Sequence, residues 1–251
     1  MTVRDGVRRL KERFLGKLRG GPGRIRFLDA LRGGAVAAMV CYHLWVDFYT
    51  QGLIGRAWLY NPWLDALQKV IACTFIVLCG VSCRFSRNNL RRGLEILAAA
   101  GVVTLVSWLF SPELIIVYGV LHFLATAVLL YALAGKLAEK LPVFVLPVLC
   151  LAGAVLTWRI PQQVWDVNGL WIFGFRNETF RSADYFPLLP NLFIFLFGTW
   201  LGGFLAARRG PERLYRLSCP PLELLGRLAI WIYLIHQPLC MGVTLLIKAL
   251  I

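Results

Sequence analysis

The sequence predicts an all-α integral membrane protein: a bundle of about seven transmembrane helices, with its N-terminus in the cytoplasm and its C-terminus outside. The first observation is composition, since 59% of the 251 residues are apolar, only 16% are charged and the mean hydropathy is +0.67. Soluble domains carry roughly 45–50% apolar and about 25% charged residues. The second observation is that the apolar residues fall in runs close to the roughly 20 residues that a helix needs to cross a bilayer. Together they exclude a soluble enzyme, a disordered chain and a collagen-like fibre.

The first element is a basic segment at residues 1–26, with nine Lys or Arg and two acidic residues. Its apolar residues Val7, Leu10, Phe14 and Leu18 recur at helical spacing. This pattern predicts an amphipathic segment that lies on the anionic cytoplasmic leaflet. No cleavage site follows a short apolar core, so we expect the first apolar run to remain as a signal anchor.

The remaining chain, 27–251, is predicted to be a single transmembrane domain. Its apolar runs cover 27–49, 62–83, 93–110, 113–135, 141–158, 187–207 and 227–250. With a cytoplasmic N-terminus, twenty of the 27 Lys and Arg fall in cytoplasmic segments and five fall outside, as the positive-inside rule requires. This topology explains the net charge of +14, so we expect no nucleic-acid partner. The seven Cys lie mostly in apolar runs without zinc or redox spacing, so we expect no metal.

The longest external segment, about 159–186, is rich in aromatic residues and contains the run VWDVNGLWIFGFRNETF. Such a composition is too apolar for a flexible linker. Irregular backbone at membrane depth must be buried in protein or line a cavity. We therefore expect this loop to pack over the helix ends as a lid or a re-entrant piece.

The first span carries four polar side chains on one helix face: Asp29, Arg32, His43 and Asp47. Asp29 and Arg32 are three residues apart and can form an ion pair at the helix end. His43 and Asp47 are one turn apart, where a carboxylate can orient an imidazole and raise its basicity, as a general base requires. The alternative is that His43 has a structural role only, with its hydrogen bonds satisfied inside the helix bundle.

Polar side chains near the other spans predict a water-filled cavity that opens outward, because a charge at the bilayer centre costs at least about 2.5–3.5 kcal/mol. They are Asp65 and Lys69, His122, Asp184 and Tyr185, and His236. The alternatives are an interfacial ion pair for Asp65 with Lys69, and structural roles for His122 and His236. Arginines near the cytoplasmic ends are suited to phosphate, although topology alone also demands them. They are Arg24, Arg26, Arg84, Arg87, Arg91 and Arg92.

Three stretches resemble one known family. RFLDALRGGAVAAMVCYHLWVDFYTQGL resembles the first helix of the small bacterial branch of the heparan-α-glucosaminide N-acetyltransferase catalytic-domain family. DYFPLLPNLFIFLFGTWLGG is similar to its sixth helix, and LGRLAIWIYLIHQPL to its last. Arg32, ten further residues and then His43 also resemble the first-helix motif of integral-membrane acyltransferases of the O-antigen acetylase type.

The resemblance implies acyl transfer across a membrane, from cytoplasmic acetyl-CoA to a sugar hydroxyl or amine on the outer side. It also implies that Arg32 and His43 are the functional pair of the first span. The chain departs from the lysosomal enzymes, which have an asparagine in place of His43 and use a histidine in the loop that follows. Residues 50–61 contain no histidine, so heparan specificity is not carried over.

We therefore expect an acetyl-CoA-dependent acyltransferase in the bacterial plasma membrane, whose partners are the bilayer, acyl-CoA and a glycan or glycolipid, with a homodimer left open. His43, held by Asp47, would be the general base, or would carry the acetyl group covalently. Arg26, Arg32, Arg84 and Arg87 would bind the donor. His122, Asp184, Tyr185, His236, Asp65 and Lys69 would line the acceptor side. The alternatives are a proton-coupled transporter or flippase, which would use the same side chains as a relay, and a non-catalytic scaffold.

Overall fold

A computed structural model describes residues 24–250, except for the side chains of residues 136 and 138. Within that range the regular structure is helical and no strand is present. The ten α-helices are α1 (Arg26–Thr50), α2 (Arg56–Leu59), α3 (Pro62–Cys83), α4 (Asn89–Phe110), α5 (Val120–Glu139), α6 (Val145–Thr157), α7 (Leu188–Ala206), α8 (Glu212–Arg216), α9 (Pro220–Arg227) and α10 (Ala229–Leu250). The predicted all-α class is confirmed. The predicted amphipathic segment at 1–26 lies outside the described residues, except for its last three.

Five helical segments of the described chain are long and apolar enough to cross a membrane. They are Pro62–Cys83, Asn89–Phe110, Val145–Gln162, Leu188–Ala206 and Ala229–Leu250. Helix α5 is apolar over the shorter stretch Val120–Gly135, and α1 has 25 residues but carries the polar side chains described below. The chain is an integral membrane protein. The count of seven spans and the orientation stay predictions.

The predicted spans match the helices best where a proline or a charge marks the boundary. Helix α3 covers the predicted 62–83, between Pro62 and Arg84. Helix α4 begins four residues before the predicted position 93, because the side chain of Asn88 accepts a hydrogen bond from the Arg91 N–H and caps the helix. Helix α5 begins at Val120 rather than at 113, since a 3₁₀ turn at Pro112–Leu114 and an extended piece come first.

The chain divides into two compact units, Met1–Ile71 with Pro211–Ile251, and Ala72–Gly210. In the first unit, α1 packs along α9 and α10. The seam with α9 is close, since a Cβ on Gly33 would collide with the backbone of Leu222 and Gly226, and one on Gly226 with that of Asp29 and Gly33. The neighbouring Gly34 faces open space. Only one of the two adjacent glycines is therefore required by the packing.

The second unit contains α4, α5, α6 and α7, together with the part of α3 that follows Ile71. Helix α4 packs on α5, and α6 packs on α7. Its core is aromatic and aliphatic, with Phe123 and Phe195 fully buried. A Cβ on Gly80 of α3 would collide with the backbone of Phe195 and Thr199 on α7, so α3 and α7 approach each other closely there.

The aromatic loop at 159–186 is folded upon itself. Trp165 lies edge-on to Phe175 with ring centroids 5.1 Å apart, and Trp171 stacks on Phe180 at 5.3 Å. The Tyr185 hydroxyl donates a 2.5 Å hydrogen bond to the Trp171 carbonyl. Such aromatic pairs stabilise a loop beyond the area that they bury. The loop is thus an ordered part of the second unit. Its role as a lid stays a prediction.

Candidate active site

The polar stripe predicted on the first span forms the seam between α1 and its neighbours in the first unit. The buried residues of α1 include Asp29, Gly33, Val36 and Asp47, at successive spacings of four, three and eleven residues. Residues at this spacing share one helix face. Since α1 packs on α9 and α10, this face brings the polar side chains to a protein interior rather than to lipid.

Two histidines meet in that seam. The rings of His43 on α1 and His236 on α10 lie with their centroids 4.9 Å apart and their planes at 60°. Tyr42 and Tyr233 flank the pair, with ring centroids 5.8 Å from His43 and 5.5 Å from His236 respectively. His43 is half-buried and His236 is buried, with 6% of its surface exposed. The sequence placed both histidines within spans, and the structure brings them into contact.

The hydrogen bonding of His236 is asymmetric. Its Nδ1 lies 2.7 Å from the carbonyl oxygen of Tyr233, one turn earlier on α10. Its Nε2 is buried and has no hydrogen-bond partner among the described residues. Because most buried polar atoms in proteins are hydrogen-bonded, an exception points to a missing ligand or to a functional role.

The carboxylate of Asp47 requires a correction to the predicted site. Asp47 is 2% exposed, and both its oxygens accept hydrogen bonds from the Gln237 Nε2, at 3.1 and 3.3 Å. The described residues show no hydrogen bond or ion pair between Asp47 and His43, so the expectation that Asp47 holds His43 directly is wrong at this point. A donor on the neighbouring helix has taken the carboxylate, which the pattern of α1 alone could not reveal.

The other polar end of α1 is an arginine–aspartate cluster. Asp29, which is 4% exposed, accepts a 2.9 Å hydrogen bond from Arg32 and another of 2.9 Å from Arg24. The predicted pairing of Asp29 with Arg32 is therefore present. Arg26 is exposed and donates a 3.4 Å hydrogen bond to the Ser218 hydroxyl. Eleven residues of helix separate Arg32 from His43, or about 16 Å along the axis.

Asp65 and Lys69, predicted on the acceptor side, lie on the first turns of α3 and are both exposed. Among the described residues they form no ion pair with each other. The alternative of an interfacial ion pair is therefore absent there, and their role on the acceptor side stays a prediction.

His122 lies in the second unit, on α5, and its surroundings differ from those of His236. The hydroxyl of Thr104 donates a 2.6 Å hydrogen bond to the Ile116 carbonyl and also lies 3.1 Å from the His122 Nε2. A hydroxyl has one proton, and a carbonyl can only accept. The His122 Nε2 must therefore be the donor to Thr104, so it carries a proton.

Asp184 caps the N-terminus of α5. Its Oδ2 accepts a 3.0 Å hydrogen bond from the Val120 N–H, the first residue of that helix, and the Ser182 hydroxyl accepts one of 3.1 Å from the Val117 N–H. A carboxylate at a helix N-terminus satisfies free N–H groups and favours the helix dipole. Burial raises the pKa of Asp184 to about 6, and the Val120 N–H offsets part of this. Tyr185 follows, and burial raises its pKa to about 12.

The two arginines predicted to bind the donor from the second unit differ in their surroundings. Arg84 pairs with Glu139, whose carboxylate also accepts a 2.6 Å hydrogen bond from the Tyr131 hydroxyl. Arg87 is exposed. Both arginines are exposed, and the described contacts with Glu139 and Tyr131 position Arg84.

Two residues of the first unit escaped the sequence reasoning. Gln237 binds Asp47, and an amide next to a membrane histidine is a signal that could have singled it out. Glu223 is 6% exposed and accepts hydrogen bonds from the Ser218 hydroxyl and the Cys219 N–H, at 2.6 and 3.1 Å, at the start of α9. A carboxylate that reaches back to the N-cap, after two prolines at the first helical positions, marks a helix start.

No group of three or more His, Cys, Asp or Glu that could hold a metal ion occurs in the part of the chain that the structure describes. The model of the catalytic domain of heparan-alpha-glucosaminide N-acetyltransferase matches residues 24–238. The chain belongs to this family. The matched region contains His43 and Asp47 on α1, and His236 and Gln237 on α10. Comparisons with curated proteins and with solved structures gave no match.

Membership of the heparan-alpha-glucosaminide N-acetyltransferase family confirms the resemblance predicted from the three sequence stretches, and it indicates a transferase of the acyltransferase class in the membrane. The further resemblance to acetylases of the O-antigen type stays a prediction. So do the individual roles of the site residues.

Proposed function

We propose that this protein transfers an acetyl group from acetyl-CoA to a hydroxyl or amine of a glycan or glycolipid, at the His43–His236 pair. The observation that carries the proposal is the contact between two imidazoles, 4.9 Å apart, inside a seam of the region that matches the family. Imidazole is the side chain best suited to move a proton near neutral pH.

The chemistry needs a base near the thioester. The acceptor oxygen or nitrogen loses its proton to an imidazole as it attacks the acetyl carbonyl, and the CoA thiolate leaves. In the covalent variant, a nitrogen of His43 attacks first and carries the acetyl group to the acceptor. Asp47 would act on the pair through its buried negative charge, which stabilises an imidazolium, rather than by a hydrogen bond to His43.

The donor would be held through its phosphates. Arginine binds phosphate by two parallel hydrogen bonds, and Arg26 and Arg32 lie in the first turns of α1. Arg84 and Arg87 provide a second arginine pair just after α3. In the predicted topology these ends face the cytoplasm, where acetyl-CoA is available, in the plasma membrane of a bacterium.

The acceptor would be polar and would arrive from the other side. Asp65 and Lys69 are exposed and suited to sugar hydroxyls. For His122, Asp184 and Tyr185, which belong to the second unit, contact with the acceptor stays a prediction. Heparan is not the expected acceptor, because the segment after α1 lacks the histidine of the lysosomal enzymes.

The test is acetyl transfer by the purified protein in detergent or liposomes, with labelled acetyl-CoA and a panel of glycans and glycolipids. Labelled acceptor should form with the wild-type chain, and the double variant His43→Gln with His236→Gln, which lacks both imidazoles of the pair, should lower the rate by about 10²–10⁴-fold. Cys41→Ala is the matched control, since Cys41 is exposed on the same helix, and its rate should equal that of the wild type.

The same preparation separates the alternatives. A transporter would show flux driven by a pH gradient in liposomes without acyl-CoA. A scaffold would show neither activity, and its cellular phenotype would survive alanine at all three histidines. Full transfer activity in His43→Gln would remove His43 from the chemistry.

A further inference from the structure

We infer that His236 is the general base of the transfer and that its Nε2 is the atom that receives the proton of the acceptor. This inference rests on the proposed function and assigns a role within it, since two imidazoles share the site and the reaction needs one base.

The tautomer of His236 follows from the hydrogen bond of its Nδ1. A carbonyl oxygen can only accept, so the Nδ1 that lies 2.7 Å from the Tyr233 oxygen carries the proton. In the neutral ring the Nε2 then has the lone pair. Fixing one ring nitrogen with an acceptor is how proteins set the reactive tautomer of a histidine base.

The reactive nitrogen is also enclosed and available. The His236 Nε2 is buried, with no partner among the described residues, and His236 as a whole is 6% exposed. The amide oxygen of the adjacent Gln237 is likewise buried without a partner in that part of the chain. A hydroxyl that entered the seam has one proton to donate and would supply the hydrogen bond that Nε2 lacks, whereas an amine has N–H groups for both atoms.

The partner imidazole is less well prepared for the same role. No group in the described residues fixes the tautomer of His43, and its ring is half-buried. The carboxylate one turn from His43 is that of Asp47, and its oxygens accept hydrogen bonds from Gln237 instead of holding His43.

The step balances as follows. The acceptor O–H or N–H bond breaks and its proton passes to the His236 Nε2, while the acceptor atom forms a bond to the acetyl carbonyl carbon. The carbon–sulfur bond breaks, and the CoA thiolate takes the proton back from Nε2. The products are the acetylated acceptor, free CoA thiol and a neutral His236, ready for another cycle.

The kinetic test compares two variants. In His236→Gln, the side chain stays polar and of similar size but cannot act as a base, so we expect kcat to fall by about 10²–10⁴-fold. The KM for acetyl-CoA should stay within a factor of about three if acetyl-CoA equilibrates before chemistry. The control is Thr244→Ser on the same helix, since Thr244 is fully buried and its hydroxyl bonds to the Met241 carbonyl, a bond that serine can also make.

A second measurement is independent of activity and of the folding of His236→Gln. ¹⁵N-histidine spectra of the wild-type protein in micelles report which ring nitrogen carries the proton. With three histidines in the chain, His43→Gln and His122→Gln assign the remaining signals by subtraction. His236 should show a protonated Nδ1 and an unprotonated Nε2.

The outcomes are distinct. A fall in kcat with an unchanged KM, together with an unprotonated Nε2, supports the inference. If wild-type protein transfers acetyl and His236→Gln retains at least a third of its kcat, the inference is overturned while the proposed function stands. A protonated Nε2 at neutral pH overturns the inference by itself. If the wild type transfers nothing to any acceptor, the proposed function fails and this inference fails with it.

Discussion

His236 in the first unit and His122 in the second are both polar residues on apolar helices, yet their rings are bonded in opposite ways. The His236 Nδ1 is tied to the Tyr233 carbonyl and its Nε2 has no partner among the described residues. The His122 Nε2 is a donor to Thr104. The His236 Nε2 therefore has a lone pair free of hydrogen bonds to the described residues, whereas the His122 Nε2 carries a proton that it donates to Thr104. The hydrogen-bond partner, rather than the depth along a helix, decides what a membrane histidine can do.

The same difference extends to the acids near each histidine. Asp184 caps the start of α5 through the Val120 N–H and so stabilises a helix. Asp47 is held by a side chain, Gln237, next to the histidine pair. The first arrangement fastens a loop to a helix. The second joins α1 to α10 next to the histidine pair.

The largest effect should come from the helix seam that brings the histidine pair together. Gly33→Ala places a Cβ against the backbone of Leu222 and Gly226, and backbone atoms cannot move aside as a flexible side chain can. We expect a loss of about 3 kcal/mol or more, with little folded protein recovered. Thermal unfolding in detergent and the yield of monodisperse protein measure it.

Gly34→Ala is the matched control, because nothing lies within 4 Å of the Cβ position there. Its stability should equal or slightly exceed that of the wild type, since alanine favours a helix by up to about 1 kcal/mol over glycine. Equal stability of the two variants would contradict the close approach of α1 and α9.

A smaller effect should follow the loss of the donor to Asp47. Gln237→Leu leaves a buried carboxylate without its hydrogen bonds, which costs about 1–3 kcal/mol. Acetyl transfer should fall as well, because the charge next to the pair is then solvated or protonated. The comparison is Gln51→Leu, which loses only a 3.3 Å contact to the Met241 sulfur and should change the midpoint of unfolding much less. If both variants melt together, Gln237 does not support Asp47.

Asp184 should give the second unit a pH dependence. Its pKa is raised from 3.8 to about 6, so between these values the folded protein binds more protons than the unfolded chain. The stabilisation is fully present below about pH 4 and is lost as the pH rises through 6. The midpoint temperature of unfolding should therefore decrease as the pH rises from 4 to 6.5. Asp184→Asn, which keeps an acceptor for the Val120 N–H, should flatten this slope. An unchanged slope would exclude Asp184 as its source.

The smallest effect should be at His122. In His122→Gln the amide N–H can replace the Nε2–H that donates to Thr104, so we expect transfer to fall by less than about tenfold. That decrease would be much smaller than the loss expected for a base. A fall as large as that of His236→Gln would remove the distinction between the two histidines.

Much of the fold could be predicted from local signals. Helix α3 matches its predicted range because Pro62 and Arg84 limit the apolar run. The start of α5 could not be placed, since the apolar residues before it resemble a helix by hydropathy. In the structure they form instead an extended piece, in which Tyr118 pairs with Tyr185. That contact joins residues far apart in the chain, and no local pattern contains it.

The sequence could identify residues of the candidate site, but it could not identify the partners of His43 and Asp47. The polar face of α1 follows from helical spacing, so His43 and Asp47 could be singled out. Their partners come from α10, nearly two hundred residues later. The described structure shows neither the predicted contact of His43 with Asp47 nor the alternative ion pair of Asp65 with Lys69. An imidazole one turn away must compete for the carboxylate with every donor that folding brings near. Here the Gln237 amide, and not His43, is the donor to Asp47.

The most direct test of the account is the protonation of the histidine rings of the wild-type protein, read from one ¹⁵N spectrum at neutral pH. The account predicts opposite tautomers, with the proton on Nδ1 in His236 and on Nε2 in His122. A proton on Nε2 in both rings would leave His236 without a lone pair at the site, and would contradict its role as the base.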